Sequence, residues 1–268
     1  MIDPLRPCRA KINRAVELFD GLAAEIASYN GRYHKGEAYD ISRAIDAETG
    51  EEVHRLKVLA QLPLIEWSIA SGLVAHLCRS ALDNLVEVLT EAHSGRCFFD
   101  TEFPVFDTAC DFGKLTRKRE PAKTSGIYKI RGIAPAAAKI IEELQPYNAG
   151  ERLTHSTLWV LHRLSNIDKH RAPAVMGTAA LVGNITIASG LDRNAFGVLG
   201  VIAYDDGTEV ARFDPPPSGQ PEMDVDLKLD VQIAFDGGPA DGRQITKVLR
   251  LIIAHTTSAV DSLAPFAR

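Results

Sequence analysis

The most chemically loaded stretch of this 268-residue chain is Leu158-Trp159-Val160-Leu161-His162-Arg163-Leu164-Ser165-Asn166-Ile167-Asp168-Lys169-His170-Arg171. At roughly 100° per residue, Trp159, Arg163, Asn166 and His170 fall within about 60° of one another on a helix, with Val160, Leu161, Leu164 and Ile167 as the apolar stripe opposite. An imidazole can exchange a proton with a ribose 2′-hydroxyl or a leaving oxygen, while Arg and Lys stabilise charge developing on phosphate. This set suits metal-independent RNA cleavage or RNA binding, with Arg163, Asn166, Lys169 and His170 as candidate catalytic residues. A helix C-terminus favours protonated His170, an acid rather than a base, so no general base is assigned. The competing account is a plain cap. Lys169, His170 and Arg171 in a last turn gain about 0.3–1 kcal/mol from the helix dipole without any active site.

Asp168 projects into the apolar stripe, where an unpaired carboxylate is costly, so Arg79 or Arg171 is its expected partner. Arg79 lies on a second helix together with His76 and Asp83. His76, Arg79, Asp83, Asp168 and Arg171 are therefore the candidate binding residues of an inter-helix polar site.

Around these residues the elements read as follows. A helix runs over about 8–33, with Ile12, Ala15, Val16, Phe19, Leu22, Ala23 and Ile26 at amphipathic spacing. Residues 38–45 and 53–59 flank the turn Glu48-Thr49-Gly50-Glu51 as a hairpin. Pro63 opens a long helix over 64–93, stopped by Ser94-Gly95, whose apolar residues cover an arc of roughly 220°, far wider than a surface helix requires. A short strand is expected at Phe103-Pro104-Val105-Phe106, and helices over 135–145, 156–171 and 243–263. Four strands fall between 178 and 235, with 214–217 and 236–239 as loops. The expected fold is α+β in one domain spanning 1–268. A helical bundle (8–172 plus 243–264) carries an antiparallel sheet made of the hairpin and the 178–235 strands.

Composition narrows the function classes. With 46% hydrophobic and 24% charged residues, disordered and low-complexity classes are excluded. A net charge of −5 argues against coating duplex DNA, although seven cations between Lys114 and Arg131 face one anion, Glu120. That run reads as a solvated loop or as a mobile anion-binding arm. Four scattered cysteines without a C-x-x-C indicate a reducing cytoplasm, and no apolar run approaches the ~20 residues of a membrane span. Phosphate-binding loops, nucleophile elbows and H-E-x-x-H are missing. His155 and His162 on one helix would stand about 10 Å apart, too far to share one zinc ion, so neither metal nor cofactor is expected. RNA or another anionic ligand is the expected partner; a homodimer is admissible, and a membrane is not expected.

His76-Leu77-Cys78-Arg79-Ser80-Ala81-Leu82-Asp83-Asn84-Leu85, Phe103-Pro104-Val105-Phe106, Leu144-Gln145-Pro146-Tyr147 and Asn166-Ile167-Asp168-Lys169-His170-Arg171 together resemble a family of uncharacterised bacterial proteins. The resemblance extends from about residue 60 to 180 and implies no activity. This chain departs from the family at Cys78 and Asn84. Arg163 with His170, and Arg250 with His255, are also similar to the R-x(4–6)-H pair of HEPN-type helical ribonucleases, which work without metal. Two readings result: an RNA-handling protein with an open inter-helix site, or a non-enzymatic binding or scaffold protein whose Arg/Asp/His cluster is a sealed structural network. An open cleft favours the first and a closed hydrogen-bonded cluster the second.

Overall fold

The computed structural model describes residues 3–34, 37–149, 156–186, 197–213 and 224–268. The chain is α+β. In order it runs α1 (Arg6–His34), β1 (Tyr39–Ile45), β2 (Glu52–Val58), α2 (Leu64–Ser94), α3 (Ala109–Phe112), α4 (Gly126–Lys129), α5 (Pro135–Glu143), α6 (Thr157–Asp168), β3 (Val175–Thr186), β4 (Gly197–Ala203), β5 (Glu209–Phe213), β6 (Asp224–Phe235) and α7 (Ile245–Leu263). The loop expected at 214–217 lies outside the described residues. Two compact units emerge, one from Met1–Leu22, Ile65–Ala174 and Phe235–Arg268, the other from Ala23–Leu64 and Val175–Ala234.

The first unit is helical. α2 runs through its core because its apolar arc is wide: Trp67, Val74, Cys78, Leu82, Leu85 and Leu89 are all buried. At about 1.5–3 kcal/mol for each large side chain fully buried, this one helix is a major source of cohesion. Its end follows from Gly95, which adopts φ +69° and donates its amide to Glu91 O at 2.9 Å, closing the helix in a left-handed conformation that glycine takes without strain. The burial departs from the helical wheel in both directions. Leu73, an apolar residue, is 44% exposed, whereas the polar Arg79 and Thr90 are buried. Thr90 manages this by returning its hydroxyl to Val86 O at 2.7 Å, and Arg79 by the pairing described below.

The strand expected at Phe103–Phe106 is a correction. The segment forms no ladder, because side chains occupy the backbone groups a neighbouring strand would take. Arg79 Nη2 donates to Phe103 O (2.5 Å) and Asp83 accepts from Phe103 N (3.0 Å). Gln145 donates to Pro104 O (2.9 Å) and accepts from Phe106 N (3.1 Å). Two one-turn helices, α3 just before the basic run and α4 inside it, also form, each started by a hydroxyl cap from Thr108 or Ser125.

The second unit holds the strands, which divide between two three-stranded sheets instead of one. The hairpin extends to β5 in the order β1-β2-β5, while the other sheet has the order β4-β3-β6. β1 pairs antiparallel with β2 from Tyr39↔Val58 to Ile45↔Glu52, and β2 with β5 from Glu52↔Phe213, shifting register between His54 and Arg55. Arg212 on β5 ties the hairpin turn by bonding Asp46, Glu51 and Glu209 at 2.8–3.0 Å. No helix among the described residues is long and apolar enough to cross a membrane.

Candidate functional site

Local sequence explains where α6 presents its side chains. Ser156 caps the helix, its hydroxyl accepting from Trp159 N, and Leu158, Val160, Leu161 and Leu164 are buried on the core side. The helix is shorter than expected. It ends at Asp168, and Lys169, His170 and Arg171 form the following turn, with the amides of His170 and Arg171 both bonded to Ile167 O (3.0 and 2.9 Å) ahead of Pro173.

The polar face opens onto a cleft of about 580 Å³ lined by Trp159, Arg163, Asn166, Ile167, His170 and Arg171, with Gly238 and Pro239 as further wall. The Arg163 guanidinium lies 5.5 Å from the Trp159 ring centroid, a cation–π stack that aligns the two side chains. Three basic side chains and one aromatic face thus share the cleft, and none of the described residues lining it carries a carboxylate. Lys169 is exposed beside it and points its ammonium at Asn166 Oδ1 (3.4 Å).

That contact orients the Asn166 amide, so its Nδ2 faces His162 Nε2 at 3.0 Å and donates to it. His162 joins the site through its i, i+4 spacing to Asn166, a relation that metal-ligand spacing does not reveal. Burial pushes its pKa down to about 4, aided by the positive charges of Arg79, Lys169, Lys129 and Arg163. The imidazole is therefore neutral at pH 7 and carries its proton on Nδ1, which is buried without a hydrogen-bond partner among the described residues. His162 and Arg163 also line a second cleft of about 480 Å³ with Val105, Phe106, Asp107, Asp111, Lys114 and Thr124.

The remaining predicted residues go elsewhere. Arg79, 7% exposed, bonds Asp83 at 2.8 Å and Phe103 O, so the buried guanidinium and the part-exposed Asp83 carboxylate form a clamp on residues 103–106 and line neither cleft. His76 is exposed on α2 and lines neither cleft. The expected pairing of Asp168 with Arg79 or Arg171 is corrected: Arg79 is committed to Asp83, and among the described residues neither arginine forms an ion pair with Asp168. The half-buried Asp168 carboxylate instead abuts α2 at Gly72, where any Cβ would overlap it. α2 and α6 thus touch through Gly72 and Asp168, and the Arg79 charge reaches His162 although Arg79 and Asp83 line neither cleft.

Of the seven cations in the basic run, Lys129 pairs with Glu102 and Arg131 with Asp100, and Arg131 also stacks on Tyr128 at 3.8 Å. No group of three or more His, Cys, Asp or Glu among the described residues is arranged to hold a metal ion. No family model, curated protein or solved structure matches the chain.

Proposed function

We propose that the α6 cleft binds single-stranded RNA, with Trp159 stacking on a base and Arg163, His170 and Arg171 meeting the adjoining phosphates. The observation that carries this reading is the joint lining of one open cleft by an aromatic ring and three basic side chains without a carboxylate. Single-strand binders combine the same two elements, since every base offers a π-face and every nucleotide a phosphate. Metal-independent cleavage is the chemistry this arrangement favours: the ribose 2′-oxygen attacks phosphorus, the bond to the 5′-oxygen breaks, and His170 as imidazolium gives that oxygen its proton, while Arg163 stabilises the phosphorane charge. The 2′-hydroxyl proton passes to solvent. The four free cysteines suit a reducing compartment, in keeping with a cytoplasmic protein.

The test is incubation of purified protein with labelled RNA in excess chelator, beside His170→Ala and Arg163→Ala. Wild type is expected to bind and cleave, and both variants to stay folded while losing cleavage. Binding without cleavage removes the catalytic step and leaves a binding site; absence of binding removes the reading.

A second reading applies to one part of the predicted set. Arg79 and Asp83 serve the fold, because both are spent on the backbone of Phe103.

A further inference from the structure

We propose that residues 114–123 form a rigid cationic finger that extends the RNA site beyond the α6 cleft by gripping the backbone of the same strand. This rests on the RNA reading of that cleft. The basic run is built rather than loose. Leu115 and Pro121 form an antiparallel bridge, and Ala122 N bonds Lys114 O at 3.0 Å. Thr116 N to Glu120 O (2.8 Å) and Arg119 N to Thr116 O (2.9 Å) close the tip. Arg117, Lys118 and Arg119 stand at that tip.

Arg119 has φ +60°, the sole positive φ outside glycine among the described residues. Glycine or asparagine takes that conformation with less strain, so an arginine there puts charge at the apex against local backbone preference. Such strain recurs at functional loops.

The charge is unspent. Lys114, Arg117, Lys118, Arg119 and Lys123 are exposed, and none forms an ion pair among the described residues. In a chain of net charge −5, this is a concentrated positive patch.

The finger is firmly mounted. On one side Phe112 packs edge-on to Phe106 and Tyr147, with centroids 6.0 and 6.1 Å away. On the other the Phe112 ring occupies the space a Cβ on Gly126 would need, and buried Ser125 caps α4.

Lys114 at its root lines the second cleft with Arg163, and Arg163 lines the first, so the root of the finger and the Trp159 cleft share one arginine. Asp107 and Asp111 also line that second cleft, so a phosphate is expected at its Lys114 and Arg163 groups and not at the carboxylates. Cations combined with a stacking ring suit a flexible single strand better than a duplex or an acidic protein surface.

The test compares wild type with the triple variant Arg117→Ala, Lys118→Ala, Arg119→Gly, in which glycine keeps the tip conformation. Fluorescence anisotropy with a dinucleotide and a 12-nucleotide RNA is measured over a salt series. Wild type is expected to bind the 12-mer more tightly than the dinucleotide. The triple variant is expected to lose about tenfold on the 12-mer, to flatten its salt slope by about 2, and to leave the dinucleotide unchanged. Arg117→Glu with Lys118→Glu deepens the 12-mer loss. If wild type binds both RNAs and the triple variant matches it on the 12-mer, the finger is refuted while the cleft reading stands. If wild type binds neither, both fall. Equal losses on both lengths in a folded triple variant also overturn the finger.

Discussion

The carboxylate of Asp83 joins two elements through one oxygen: Oδ1 accepts from Arg79 Nη2 at 2.8 Å and from Phe103 N at 3.0 Å. The same Arg79 nitrogen donates onward to Phe103 O, so the pair grips both backbone groups of a single residue. Burial disfavours the charged guanidinium and lowers the Arg79 pKa, and the Asp83 charge opposes that shift. The pair is therefore stabilising only while complete.

Breaking it from the aspartate side carries the larger penalty, because the guanidinium is the buried charge of the pair. Asp83→Asn keeps an acceptor for Phe103 N but leaves the guanidinium without its counter-charge, and a loss of about 3 kcal/mol is expected in urea denaturation. Arg79→Ala frees the Phe103 carbonyl but leaves a part-exposed Asp83 still bonded to Phe103 N, and should lose less. A double-mutant cycle between the two showing no coupling would remove the clamp.

Gly72→Ala tests the approach of α6 to α2. The added methyl overlaps the Asp168 carboxylate, and a loss of about 1–3 kcal/mol is expected, as for other overpacked sites. Truncating the obstacle should restore most of it, so Gly72→Ala with Asp168→Ala is expected to be more stable than Gly72→Ala alone. A neutral Gly72→Ala contradicts the contact.

His162 couples stability to pH. Its pKa is about 4 in the folded chain against about 6.5 when unfolded, so between those values only the unfolded chain takes up the proton. The contribution is fully present above pH 6.5 and is lost as pH falls towards 4. His255, lowered by burial, acts in the same direction. Urea midpoints at pH 7 and pH 5 should differ more in wild type than in His162→Gln, by the uptake of about one proton. Equal pH dependence in the two proteins would count against the buried neutral imidazole.

Tryptophan emission reports on the cleft. The chain has two tryptophans; Trp67 is 1% exposed in the helical core, while Trp159 lines the cleft. RNA is expected to quench Trp159 alone, and Trp159→Leu to weaken binding by about 1–3 kcal/mol, the usual worth of one base–aromatic stack. Quenching that survives Trp159→Leu would place the ligand elsewhere.

The helices were legible because long apolar patterns and their stops lie within single segments. Leu64–Ser94 between Pro63 and Gly95 is the clearest case. The hairpin around Gly50 was legible for the same reason. Four things were not. A helical wheel places Arg79 on a polar face because it cannot register a clamp on a residue 24 positions away. The Phe103–Phe106 segment has the composition of a strand, yet whether a strand or side chains meet its backbone depends on tertiary neighbours. Metal-ligand spacing says nothing of the bond between His162 and Asn166, which depends on the orientation of the Asn166 amide. On α6, the clustering of Trp159, Arg163, Asn166 and His170 on one face was readable from angular spacing alone, whereas the opposing wall at Gly238 and Pro239, some seventy positions later, was not.

The side-chain grip on Phe103-Pro104-Val105-Phe106 has an effect outside the native molecule. An apolar ribbon whose amides and carbonyls were left open would recruit other chains edge to edge. Gln145, Arg79 and Asp83 fill those positions and deny them to any intruder. Substituting Gln145 by an apolar residue should therefore surface first as intermolecular assembly, well before the helical core melts.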